Sequence, residues 1–279
     1  PVQSFIAAGR KLDDLWAGSH LLSRLAWEVM RPIAEELGPD AILFPRLRGI
    51  AQVDLWLRDA MGLPPKLFKD CKWQEGGTDA NPLFAAALPN RFVAVVPASR
   101  ARELAERCKY EVRAWIQSRG KDVVRELLKT ADLRCGDDCH AYEQLRKQLA
   151  GFPEVHWAAV PFSLIRCRDV AKQRDLDVSG LRAAMAPFHG VATEKDCGFL
   201  ATPAWEVLAE AIEISDGGRP ISFFAPNPGV LYPAVYDLAE RVQAAAKSTR
   251  PFEQTCQKGW RDSLTGESEW LTHNADLLG

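Results

Sequence analysis

The sequence predicts an α+β fold: a ferredoxin-like palm of order βαββαβ with insertions, followed by a mainly helical domain. Three observations predict it. Short apolar runs at residues 2–8, 41–44, 91–96 and 155–161 have the length and bounding turn residues of strands. Long amphipathic stretches separate the first run from the second and the third from the fourth. Beyond about Ser163 helical spacing dominates, so the expected division is residues 1–165 and 166–279.

The first run, VQSFIAA, leads through Gly9-Arg10-Lys11-Leu12 into a helix over about 14–37. Asp13 or Asp14 is the expected N-cap, because a carboxylate there can accept the unpaired amides of the first turn. Leu15, Leu22, Leu25, Ala26 and Val29 recur as a buried stripe, and Gly38-Pro39 is a stop signal. Gly18-Ser19 interrupts this helix, at a glycine cost of about 1 kcal/mol against alanine. The second strand, AILF, closes at Pro45, and residues 53–60 are amphipathic. Residues 66–82 are polar and read as an exposed insertion. The third strand, RFVAVV, ends at Pro97. A long helix follows over about 99–128, with Ser99 as N-cap and Leu104, Cys108, Val112 and Trp115 on its buried face. The fourth strand is VHWAAVP. In the second half, residues 178–186, 205–214 and 231–246 read as helices, joined by connectors at 215–220 and 225–229, with one short strand at 221–224.

Bulk properties exclude several classes. A chain of 279 residues holds roughly two domains at about 150 residues each. A net charge of −2 means that any nucleic-acid contact must come from a local patch. Seven cysteines at irregular spacing point to reduced thiols in a cytoplasmic protein. No apolar run reaches the roughly 18 residues that a membrane span needs. The chain opens at Pro1 directly into a strand with no signal peptide, and it is expected to be a piece of a longer polypeptide.

Few motifs carry chemistry. Gly136-Asp137-Asp138 could pair carboxylates for a divalent cation, but it sits in a loop between helices rather than at the tip of an apolar hairpin. Cys135-x3-Cys139-His140 is half of a zinc pattern without its second knuckle. His20, His140, His156, His189 and His273 are scattered and read as surface or packing residues. No Walker A or G-x-G-x-x-G pattern occurs. Basic clusters at Arg46 and Arg48, at Lys66, Lys69 and Lys72, and at Arg100, Arg102 and Arg107 are either solvated faces or RNA contacts. Trp73 beside the lysines either stacks a base or packs.

Val2, Gln3, Phe5, Ile6, Arg10, Lys11, Asp14, Leu15, Trp16, Gly18, Ser19 and Ser23 together form a pattern of Val-Gln, Phe-Ile, Arg-Lys, Asp-Leu-Trp-x-Gly-Ser and a later Ser. This pattern resembles the opening of the first palm in the large subunit of type III-B CRISPR effector complexes. FAPNPGVLY at 224–232 and WRDSLTGESEWL at 260–271 are similar to the same family. The resemblance implies a first, non-catalytic palm that helps to hold ATP against a second palm. It puts Gly18, Ser19 and Ser23 at the nucleotide, supported by Gln3, Arg10, Lys11, Asp14 and Trp16. Gly18 would let a base or ribose approach the backbone. The alternative is that Gly18 permits close packing and the serines bond backbone carbonyls. With Gln3 where a metal carboxylate would stand, the resemblance leaves Mg or Mn to the other palm. The family's four-cysteine zinc element would fall at Trp260–Glu267, where Asp262 and Thr265 replace cysteines, so that element is degenerate here.

The intact subunit, by this resemblance, makes cyclic oligoadenylates from ATP, often carries single-stranded DNase activity, and works with the other Cmr subunits, crRNA and target RNA. Two other readings remain open at this point: a purely structural interaction module with a degenerate palm, and a free-standing nucleotidyl cyclase or polymerase palm with a diverged metal site.

Overall fold

The computed structural model describes residues 9, 11–78, 80–133, 136, 139–167, 176–249, 259–261 and 269–271. The chain divides into two compact units, Pro1–Val155 with Gln254–Gly279, and His156–Glu253.

The first unit is built on two long helices. Helix α1 (Leu12–Leu37) starts two residues before the expected boundary. Its N-cap position is Lys11, in extended backbone, and not Asp13 or Asp14. Asp14 instead reaches back from the first turn, where its Oδ2 accepts the Lys11 amide at 3.1 Å. Both acids complement the positive end of the helix. Strand β1 (Ile42–Phe44) and strand β2 (Val93–Ala94) pair antiparallel, Ile42 opposite Ala94 and Phe44 opposite Val93. Between them lie helix α2 (Ala51–Asp59) and 3-10 turns at Pro65–Phe68, Lys72–Gln74 and Pro82–Phe84. Helix α3 (Ala101–Thr130) follows, with Arg100 rather than Ser99 at its N-cap. Helix α4 (His140–Leu149) completes the unit, and Gly136 lies between those two helices as expected.

The result is a mostly helical α+β structure. Among the described residues there is no ferredoxin-like sheet: its central hairpin is present as β1–β2, but no further strand joins it. The expected first strand lies outside the described residues. The expected fourth strand is a correction, because residues 155–161 form no strand. The apolar residues of that segment serve separate packing roles. Val155 packs against Leu25, Val112 and Ile116 of the first unit, while Val160 packs into the core of the second.

Packing explains the helix faces. Trp27, Met30, Ile33 and Ala34 of α1 join Ile42, Leu47, Val53, Leu88 and Cys108 in the main core. The stripe therefore lies more on Trp27, Met30 and Ile33 than on Leu15 and Leu22, which are only half-buried. Leu104, Cys108 and Val112 of α3 are buried as expected, and Trp115 is partly so. Burial pushes the Cys108 thiol up to about 11, which keeps it protonated and unreactive at neutral pH. The stretch at 66–82 is less exposed than its polarity suggests. Phe68 and Trp73 pack with Ala51 in a small core of their own.

The second unit carries α5 (Ser179–His189), α6 (Pro203–Leu208) and α7 (Tyr232–Ser248) around Leu181, Met185, Leu200, Leu231, Ala234 and Leu238. It also holds two antiparallel strand pairs: β3 (Arg166–Cys167) with β4 (Leu176–Asp177), and β5 (Ile212–Asp216) with β6 (Arg219–Phe224). The helix expected over 205–214 thus ends at Leu208, and the expected connector at 215–220 contains a hairpin turn. Gly198 adopts φ +57°, and a Cβ there would stand 2.6 Å from Cε of the fully buried Met185. Gly198→Ala is expected to destabilise this unit by about 1–3 kcal/mol through strain and overpacking, read as a lowered urea midpoint. An unchanged midpoint would show that Met185 moves aside freely.

Candidate functional site

The first three turns of α1 bring the sequence-predicted residues together. Lys11 and Asp14 fix the helix start, and Gln3 and Arg10 lie outside the described residues. Gly18 is buried, and Ser19, one position on, is half-buried. Ser19 and Ser23 share a face, one turn apart. The hydroxyl of buried Ser23 accepts the Leu88 amide at 3.0 Å, so this serine ties α1 to the segment entering β2. Ser23 thus bonds backbone through an amide, where the alternative reading expected a carbonyl.

Trp16 is half exposed. It stacks on His20, with ring centroids 5.6 Å apart and planes at 24°, and the tilted ring of Phe84 has its centroid 6.2 Å away. His20 Nε2 lies 3.5 Å from the Leu83 carbonyl oxygen. Trp16, His20 and Arg24 follow one another at one-turn intervals and form one wall of an open groove of about 620 Å³. Trp115 and Arg119 of α3 form the other wall. The Arg24 guanidinium stands 5.6 Å from the Trp115 ring centroid, a cation–π geometry. Sequence reasoning missed this groove. Its signal was the i, i+4, i+8 spacing of Trp16, His20 and Arg24, repeated in Trp115 and Arg119.

Below the groove the two helices are joined by charge. Glu28, almost fully buried, accepts from Arg24 Nη2 at 2.6 Å and from Arg31 Nε at 2.9 Å. Arg31 also reaches Glu35 at 2.7 Å and Glu111 of α3 at 3.6 Å. Burial lowers the Arg31 pKa, but its bonds to Glu35 and Glu28 outweigh that and raise it, so Arg31 stays charged. Arg100 and Arg107, two of the basic-cluster residues, pair with Glu36 at 2.8 and 3.3 Å and so bind α3 to α1. Arg48 is likewise held by Asp40 at 2.7 Å. Trp73 is buried beneath the Arg58 guanidinium, 4.8 Å from its ring centroid, and takes the packing reading.

The zinc pattern meets different chemistry. Cys139 is disulfide-bonded to a partner outside the described residues, while Cys71, Cys108, Cys167 and Cys197 form no disulfide. The reduced state expected for all seven does not hold at Cys139. His140 Nε2 lies 3.2 Å from the Trp270 carbonyl oxygen. Among the described residues no group of three or more His, Cys, Asp or Glu side chains converges to hold a metal ion. No helix among them is long and apolar enough to cross a membrane.

Comparison with known proteins gives this region its relatives. Residues 1–125 match the family model described as CRISPR-associated protein Cmr2, N-terminal. The CRISPR system Cmr subunit Cmr2 of Pyrococcus furiosus is 32% identical over 116 residues, which is 42% of this chain and 11% of that protein. The corresponding Cmr2 subunit of Saccharolobus solfataricus is 53% identical over 47 residues, 17% of this chain and 4% of its own length. The chain therefore aligns with only a small part of each relative. The similar segments at 224–232 and 260–271 lie beyond the matched residues.

Proposed function

We propose that this chain, whose residues 1–125 match the Cmr2 N-terminal family, is part of the large subunit of a type III-B CRISPR effector complex, supplies a non-catalytic wall of that subunit's ATP site and scaffolds the complex. The observation that carries this reading is the pair Gly18-Ser19 on a helix whose start is capped and whose far half is buried. Ser19 is the direct hydrogen-bonding group, Gly18 admits close approach to the backbone, and Ser23 holds the Leu88 segment beneath them. The finer reading of this region as a palm rests on its order of helix, two antiparallel strands and helix. The chemistry of cyclic oligoadenylate synthesis, with Mg or Mn, is assigned to another palm. The partners are the other Cmr subunits, with crRNA and target RNA reached through them in the cytoplasm. The ion-paired α1–α3 layer suits the scaffolding role, since it fixes the helix that carries the serine.

Ser19→Ala in the intact subunit is expected to remove one neutral hydrogen bond to ATP, about 1 kcal/mol or a roughly fivefold rise in Kd by calorimetry. Unchanged affinity would remove Ser19 from the site and the reading with it.

A further inference from the structure

The α1 wall of the groove, Trp16, His20 and Arg24, centres roughly 150° around the helix from Gly18 and Ser19 at about 100° per residue. Its composition is unusual for a chain of net charge −2: two tryptophans, a histidine and two arginines line it with Ala17 and Leu21, and among the described residues no carboxylate does. We infer that this groove binds single-stranded nucleic acid, with a base stacked on Trp16 and phosphate oxygens held by Arg24 and Arg119.

Three features support this occupant. Trp16 is about half exposed, at 51%, although it is braced by His20, so an aromatic face is presented at low entropic cost. Nucleobases stack on such a face without regard to sequence. Arg24 is held over Trp115 and anchored through one nitrogen to Glu28, while its Nε is shielded from solvent and lacks a hydrogen-bond partner. A phosphate oxygen entering the groove would satisfy that donor. Arg119 is exposed and pairs with Asp122 at 3.0 Å. An exposed pair of this kind costs little to exchange for a phosphate. An acidic peptide could use the arginines, but the tryptophan pair beside them favours a ligand that alternates planar rings with negative charge.

The test is fluorescence anisotropy of short fluorescein-labelled oligouridylate and oligothymidylate strands, titrated with the full chain at low and at physiological salt. Binding that tightens as salt falls is expected. Trp16→Ala and Arg119→Glu should each weaken it roughly tenfold, in line with the stacking and phosphate contributions. Both side chains are at the surface, and circular dichroism will confirm that the variants fold. Trp16→Phe should restore most of the affinity, because a ring is what the base needs. No salt-dependent binding of either strand by the wild type, or wild-type affinity in both loss variants, overturns the inference.

Discussion

Glu28→Ala is expected to lower the stability of the first unit by about 3 kcal/mol, read as a shift of its urea midpoint. The carboxylate is almost fully buried and receives Arg24 and Arg31 together. Truncation leaves two guanidiniums facing a gap, and the cost of a broken buried pair comes mainly from the charge left behind. The two arginines would not suffer equally. Arg31 keeps Glu35 and Glu111, whereas Arg24 would lose its anchor while its Nε is already without a partner. Both arginines reach solvent in part, which places the loss at the low end of the range for buried pairs. Glu28→Gln keeps an acceptor and the shape, and should lose less. A Glu28→Ala midpoint equal to wild type would mean that water replaces the carboxylate without cost.

This layer of charge also marks what could be read from the sequence. Arg100 and Arg107 were visible only as a basic face, because an ion pair between helices separated by some seventy positions leaves no local trace. Long helices with periodic apolar residues were readable: α1, α3, α5 and α7 lie within a few residues of their expected spans. The pairing of β1 with β2 was readable for the same reason, since proline closes both runs. The segment at 155–161 misled because its apolar residues look like one buried strand while they serve separate packing roles.

The β5–β6 hairpin was missed although its signal was present. Asp216 and Arg219 pair across Gly217-Gly218, whose φ values of +56° and +82° suit a tight two-residue turn. Ile212 and Ile214 alternate with polar residues just before it. For the site, the Gly18-Ser19 interruption pointed to the right helix. The groove beside it needed α3, whose Trp115 and Arg119 come from a distant part of the chain.

Trp27→Ala is expected to cost the most of any single change in the first unit, about 3–5 kcal/mol. Trp27 is 1% exposed and meets Trp56 edge-on, with centroids 5.1 Å apart and planes at 67°. Around it, Met30, Ile42, Leu47 and Val53 come from α1, β1, the following loop and α2, so one cavity would loosen three elements at once. An edge-to-face ring pair contributes about 0.5–1.5 kcal/mol beyond area burial. A double-mutant cycle with Trp56→Ala should therefore return a coupling of that size. Trp27→Phe should recover part of the loss by refilling the cavity. Because Trp27 sits one turn past Ser23, the loss should also be felt at the start of α1. The Trp27→Ala variant should bind ATP and oligonucleotide more weakly than Glu28→Gln does. A loss under about 1 kcal/mol, or a cycle with no coupling, would show that the core collapses around the vacancy and that α1 is held by its ion pairs instead.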